Sequence, residues 1–329
     1  MSSDEQKNPD AAMKHTHVIK MASEKEKRAG LPGPDQQNIT ETTPGEGWVP
    51  PEGYVPQGTA QPGVIRVWLG MTIYRSIVDL TMTCIMREII TSGSPQYKAF
   101  QTHYRHMSND ALVDRARSRL CQFFLYNALP EKSNEMCDVL MLVDADIVWP
   151  RGTIQYMAWK AWETQSIVGG LVSKRSRGDG LATQFCKEWE ADFKAEKVTL
   201  DFGVDEIIPS YYVGSAFTAY PLSVLQDIHD NSPIPVTMRD GSIKVMTMPL
   251  TVQGFRPYFL PMLAESEFHE GNVDYLSEDW AICKRARDLG HKVHATTLPW
   301  LRHYGNHGFT PKDALTKDGS ASTDVMKKV

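Results

Sequence analysis

The stretch Asp138-Val-Leu-Met-Leu-Val-Asp-Ala-Asp-Ile-Val-Trp-Pro150 decides how this chain is read. Val139 to Val143 is apolar without a break, the pattern of a strand buried on both faces of a parallel sheet. Asp144 and Asp146 follow at once, and Pro150 ends the extended run. In an open α/β sheet, ligands bind beyond the carboxyl ends of the strands, which is where this acidic pair falls. Two such carboxylates repel each other, and a hard divalent cation that also bridges phosphate oxygens offsets the repulsion. The plainer use of the pair is to cap the helix that begins at Thr153, so its surroundings must decide between the two.

Upstream, Asp110 to Asn127 reads as a helix capped by Ser108 or Asn109, with Leu112, Ala116, Leu120 and Phe123/Phe124 facing a core. Arg115, Arg117 and Arg119 punctuate it, and because it feeds directly into the acidic strand its side chains reach the same crevice. Val64 to Leu69 alternates and ends in Gly70, as a first strand should. Tyr74 to Ile90 has near-helical spacing with Gly93 and Pro95 as breakers. Tyr104 to Met107 is a short second strand. Downstream, a helix runs to about Thr164 and Ser166 to Val172 is a further strand, with Gly169-Gly170 permitting close backbone approach. Lys174-Arg-Ser-Arg177 is either a solvated turn or a phosphate-facing cluster, and Leu181 to Leu200 fits a helix or edge hairpins. Strands alternating with helices predict βαβ units and a mainly parallel sheet.

The second half is built differently. Glu206 to Tyr220 is strand-like with Gly214-Ser-Ala in its middle, and Pro221 opens a helix over Leu222 to His229 at its first position. Val236 to Met262 reads as short strands, and polar, acidic Ala264 to Asn272 as a flexible loop. Tyr275 to Gly290 is a helix with Ser277 as its cap, Glu278 and Asp279 in its first turn and Gly290 at its end. Acids there complement the helix dipole, which also keeps Asp279 ionised and suited to act as a base. Lys292 to Thr297 is the next strand. Leu301-Arg-His-Tyr-Gly-Asn-His-Gly-Phe309 then offers His303 and His307 in a glycine-punctuated loop, as structural residues or as ligands.

Composition bounds the answer. The 329 residues are 41% hydrophobic and 23% charged, ordinary for a globular protein of one large domain or two small ones. A net charge of −5 gives no overall pull toward nucleic acid. Five scattered cysteines without a CxxC pair argue for a reducing compartment and against a disulfide framework or zinc site. Met1 to Gly30 is charged and polar, unlike a signal peptide, and no run approaches a membrane span, so a cytoplasmic protein is expected. Residues 1–62 are expected to be disordered or extended, with Trp48 and Tyr54 as anchors across the domain. Residues 63–311 are expected to form the domain, in two halves, 63–180 and 181–311. Residues 312–329 are a flexible basic tail.

Taken in order, five places from Val64 to Phe309 resemble the GT-A type of nucleotide-sugar glycosyltransferase, including its single-domain viral and bacterial members. Ala116-Arg117-Ser-Arg-Leu120 precedes the apolar strand with its Asp-x-Asp; Val168 to Arg175 is a strand ending in Lys-Arg. Gly214-Ser-Ala-Phe217 precedes a helix, Glu278-Asp279 opens one, and Leu301-Arg-His-Tyr-Gly305 follows. Ser118 departs from the pattern, where members often carry Asn. The resemblance implies a Rossmann-like, mainly parallel central sheet flanked by helices, with a small antiparallel subdomain on the acceptor side. It implies that Asp146 binds a divalent ion directly, Mn²⁺ or Mg²⁺, while Asp144 contacts the ribose or reaches the ion through water. His303 completes the metal shell, with His307 as the alternative; an imidazole among oxygen ligands favours Mn²⁺. Arg117 and Lys174 or Arg175 hold nucleotide or phosphate, Gly214 and Ser215 line the donor, and Asp279, beside Glu278, is the base of an inverting transfer.

The substrate implied is a nucleoside diphosphate sugar, and the acceptor a saccharide, a protein or a hydroxylated base in DNA, as in viral genome modification. A DNA acceptor requires a basic cleft, for which Lys174 to Arg177 and the Arg115 to Arg119 ridge are the candidates. Two other readings are a non-catalytic nucleotide-sugar-binding protein on the same fold, and nucleotidyl transfer. The second lacks a glycine-rich phosphate loop after the first strand.

Overall fold

The computed structural model describes residues 48–304 apart from 60, 75–76, 109, 128–136, 175–179, 196, 199, 201, 203–204 and 247–255, together with 308–309. His307, Arg175 and the tail beyond 309 lie outside the described residues. The chain begins with β1 (Ile65–Ile73), α1 (Asp79–Ser92), β2 (Phe100–Ser108), α2 (Val113–Asn127) and β3 (Val139–Asp144). Then come β4 (Ile147–Val148), α3 (Thr153–Thr164), β5 (Ile167–Gly170), β6 (Thr183–Phe185), α4 (Lys187–Lys194), β7 (Ile207–Val213) and β8 (Phe217–Pro221). The last part holds α5 (Leu222–Asn231), β9 (Ile234–Thr237), β10 (Ile243–Met246), β11 (Met262–Glu265), β12 (Val273–Leu276), α6 (Glu278–Asp288), β13 (Val293–Thr296), β14 (Arg302–Tyr304) and β15 (Gly308–Phe309).

Eight strands form one sheet in the order β2-β1-β3-β8-β5-β13-β7-β6. β1 is parallel to β2 and β3, and β5 to β13; β8 opposes β3 and β5, and β7 opposes β13 and β6. Only β7 and β8 therefore run against the rest, and the sheet is mostly parallel. Apolar side chains cover both faces. Val139, Met141 and Val143 point to a core with α1 and α3, whereas Leu140 and Leu142 point to another with α2, α5 and α6. Each fully buried side chain of this kind stabilises the fold by about 1.5–3 kcal/mol, which is why an unbroken apolar run sits at the centre.

The direction of winding reverses between β1 and β3. The β1-to-β2 crossover uses α1 on one face, and the return to β3 passes beneath α2 on the other. Such a switch point is where an open α/β sheet offers ligands a crevice, here beyond the carboxyl ends of β1 and β3. Thr72 of β1 is the register partner of Asp144, at the lip of that crevice.

Several local expectations are corrected. β1 runs through Gly70 to Ile73, and β2 spans nine residues rather than four. Leu112 and Phe123 are exposed while Ala116, Leu120 and Phe124 are buried, so the core stripe of α2 is narrower than the apolar residues suggest. Pro221 is the residue before α5, not its first position. Glu206 to Tyr220 is two strands, because the chain leaves the sheet at Gly214 and re-enters it elsewhere. The stretch Ala264 to Asn272 is not wholly irregular. It begins in β11 and forms the tip of an antiparallel hairpin with β12. Glu267 pairs with Arg287 of α6 at 2.9 Å, and Phe268 packs edge-on against Tyr211 of β7, so the tip is pinned.

Among the described residues no helix is long and apolar enough to cross a membrane. Trp48 and Tyr54 precede the sheet and lie against Phe100 and Trp159, and Trp48 also meets Tyr156.

Candidate active site

The centre of the crevice is Arg117. It lies on α2, a position beyond the buried Ala116, and is itself only 4% exposed. Its guanidinium takes both oxygens of Asp144 at 2.8 and 3.0 Å, and Glu278 Oε1 at 3.2 Å. Burial works against its charge, but Asp144, Asp279 and Glu278 more than compensate, so it remains a cation. One side chain thus ties the end of β3 to the head of α6, two places 134 residues apart in sequence (278 − 144). Thr72 Oγ1 adds a longer contact to Asp144 at 3.4 Å.

Asp146 faces a different partner. β4 pairs with β14 so that Ile147 opposes His303, and this register brings the imidazole alongside the acidic pair. His303 Nε2 is 3.5 Å from Asp146 Oδ1, while Nδ1 lies 2.9 Å from the Ser173 carbonyl. A carbonyl only accepts, so Nδ1 carries the hydrogen and Nε2 of the neutral ring presents a lone pair beside Asp146. Tyr304 N–H donates to the Asp146 carbonyl at 2.8 Å and locks the same register.

The α6 acids are held individually. Ser277 occupies the N-cap position, but its hydroxyl makes no cap bond to the helix backbone; it donates to Asp279 Oδ1, correcting the expected capping role. Trp280 N–H donates to that same oxygen at 3.0 Å. Asp279 Oδ2 is turned toward Gly214, where an added Cβ would come within 3.5 Å of it and within 2.8 Å of Ala182 Cβ. Gly214 is therefore a point of close approach between the β7–β8 turn and α6. Glu278 is pushed above the ordinary carboxylate range by burial and then by Asp279, partly offset by Arg117.

The other predicted residues divide. Lys174 is exposed, one position past the carbonyl that orients His303. Ser215 is fully buried, its hydroxyl 2.7 Å from Tyr220 Oη, so it braces the turn and offers the crevice no side chain. Ser118 accepts Phe259 N–H at 3.1 Å and is likewise structural. Arg115 and Arg119 do not form a basic ridge, since both pair with Asp110, at 2.6 and 3.4 Å. Thr72 and Ser173 are the additions that sequence reasoning missed. Thr72 acts through its register with Asp144, and Ser173 lies three residues beyond the end of β5, just before Lys174.

For a metal ion, the donor set is one carboxylate and one oriented imidazole. Its ring is fixed by a carbonyl in the manner of metal-binding histidines. Asp144 is committed to Arg117. Among the described residues no group of three or more His, Cys, Asp or Glu could hold a metal by themselves. Asp146 and His303 therefore fit an ion that arrives with a phosphate ligand, as hard divalent ions usually do, and do not fit a standing all-protein site.

No family model and no curated protein sequence matches the chain. Among solved structures it is similar to A197 from STIV, with 16% identity and a TM-score of 0.45 over 76% of this chain and 92% of that one. A protein assigned as a glucose-1-phosphate thymidylyltransferase from Bacillus anthracis, solved with sucrose, is similar at 11% identity and a TM-score of 0.28, covering 52% of this chain and 76% of that one.

Proposed function

We propose that this chain is a metal-dependent glycosyltransferase of the GT-A type, moving a sugar from a nucleoside diphosphate sugar to an acceptor hydroxyl with inversion. The observation that carries the reading is the Arg117 bridge between Asp144 and Glu278. It joins the acidic pair suited to the donor with the acidic pair suited to catalysis, across the switch point where nucleotides bind in such sheets.

The roles follow from position. Asp144, held by Arg117 and Thr72, presents its carboxylate to the ribose. Asp146 and His303 would hold a divalent ion that arrives with the donor. The ion, when bound, neutralises negative charge that builds on the departing diphosphate. Exposed Lys174 supplements it. Asp279 Oδ2 takes the acceptor hydroxyl proton as that oxygen bonds to the anomeric carbon; the bond from this carbon to the diphosphate oxygen breaks, and the electron pair leaves with the diphosphate. Glu278 is committed to Arg117, which leaves Asp279 as the member of the pair placed to serve as the base.

A thermal-shift screen of nucleoside diphosphate sugars with Mn²⁺ tests this. One donor is expected to raise the melting temperature only when Mn²⁺ is present. A panel without any Mn²⁺-dependent shift would remove the reading.

A further inference from the structure

We infer that the outer face of the β11–β12 hairpin is an acceptor platform and that the acceptor it takes is a neutral saccharide. The inference rests on the glycosyl-transfer reading of the neighbouring crevice. In β11 and β12, Leu263 pairs with Tyr275 and Glu265 with Val273, so these four side chains share one face. The apolar three are 69%, 68% and 66% exposed, in the order Leu263, Tyr275, Val273. The opposite face carries Met262, Ala264 and Leu276 into the core, which fixes the direction of the outer one. Nothing in the hairpin's own fold requires an apolar outer face.

The hairpin is packed at its tip and lies close to the base along the chain. The tip is held by the Glu267–Arg287 ion pair and by Phe268 on Tyr211. Tyr275 lies four positions before Asp279. Their Cα atoms are therefore at most about 14 Å apart, the reach of a short oligosaccharide. An aromatic ring beside aliphatic side chains matches the alternating C–H faces and hydroxyl edges of a sugar ring.

Charge counts against a nucleic-acid acceptor. Met262 to Leu276 contains Glu265, Glu267, Glu270 and Asp274 and neither lysine nor arginine. A nucleic-acid backbone would meet repulsion here, with no cation to release its counterions. The arginines that might have served elsewhere are taken by Asp110. A neutral saccharide meets no such penalty, and the carboxylate of Glu265 accepts its hydroxyls.

The test uses the full chain and four proteins: unaltered, Tyr275→Ala, Tyr275→Phe, and Ile90→Ser as an exposed apolar control on α1. Each is applied to an array of neutral oligosaccharides, with a single-stranded oligonucleotide beside it, and separately titrated with nucleoside diphosphates and Mn²⁺. The expected result is retention on one or more neutral glycans, weakened roughly tenfold or more in Tyr275→Ala. It is kept in Tyr275→Phe and in the control, with nucleotide binding equal in all four. Absence of glycan retention in the unaltered protein, equal retention by Tyr275→Ala, or Tyr275-dependent retention on the oligonucleotide overturns the inference. Loss of nucleotide binding with glycan retention intact would instead overturn the reaction and leave the platform.

Discussion

Asp279 and Glu278 are neighbours with different commitments, and that difference predicts different kinetics. Asp279 Oδ1 is occupied by Ser277 and Trp280, and Oδ2 faces the Gly214 turn. Asp279→Asn keeps these contacts and removes only basicity, so turnover should fall by roughly 10²–10⁴-fold with nucleotide affinity unchanged. Glu278→Gln instead weakens Arg117, and through it Asp144, so its effect should appear in the KM for the donor. Steady-state kinetics of the two variants separate the roles; the reverse pattern would exchange them. Helix geometry made part of this legible beforehand. At 100° per residue, Arg115 and Arg119 lie near one another and Arg117 lies opposite, on the side that Ala116 and Leu120 bury. What could not be read was Asp110 as the partner of the outer two, because a carboxylate before a helix usually serves as a cap.

At the scale of elements, the turn before α3 depends on a single glycine. Gly152 has φ +77°, and an added Cβ would lie 2.1 Å from the Trp48 carbonyl oxygen and 2.7 Å from Tyr97 Oη. Tyr97 donates its hydroxyl hydrogen to that same carbonyl. Gly152→Ala should therefore displace the Trp48–Tyr54 strap as well as strain the turn, with a loss of about 1–3 kcal/mol. A lowered melting temperature together with new proteolysis near Trp48 is expected; a stability equal to the unaltered chain would show that the strap bears no weight. Elements with strong periodicity were legible, as α3 and β3 demonstrate. The β11–β12 hairpin was not, because each strand has only four residues. Its polar tip carries loop composition, although Glu267 and Phe268 tie it down through partners distant in sequence.

For the whole molecule, a mostly parallel sheet was legible in the alternation of strands with helices and in one unbroken apolar run, whereas the switch between β1 and β3 was not. Nor was buried charge. Glu88 on α1 is fully buried, accepts Gly152 N–H at 3.1 and 3.2 Å, and is pushed up to about 7 from 4.5, chiefly by burial. Unfolded, it loses its proton near 4.5; folded, it keeps the proton until about 7. This group's contribution is thus most favourable below the lower value, declines as pH rises between the two, and levels off above the higher, by on the order of 3 kcal/mol in all. Glu88→Gln should flatten that decline in melting temperature between about pH 5 and pH 8; an unchanged slope would assign it to other groups. The central claim, that residues drawn from α2, β3, α6 and β14 make one nucleotide-sugar site, is tested most directly by titrating Mn²⁺ with and without a nucleoside diphosphate, following free Mn²⁺ by electron paramagnetic resonance. Tight Mn²⁺ binding is expected only with the nucleotide, abolished in Asp146→Asn and weakened about 10–100-fold in His303→Ala. Nucleotide binding undiminished in EDTA, or tight Mn²⁺ binding that survives Asp146→Asn, would contradict it.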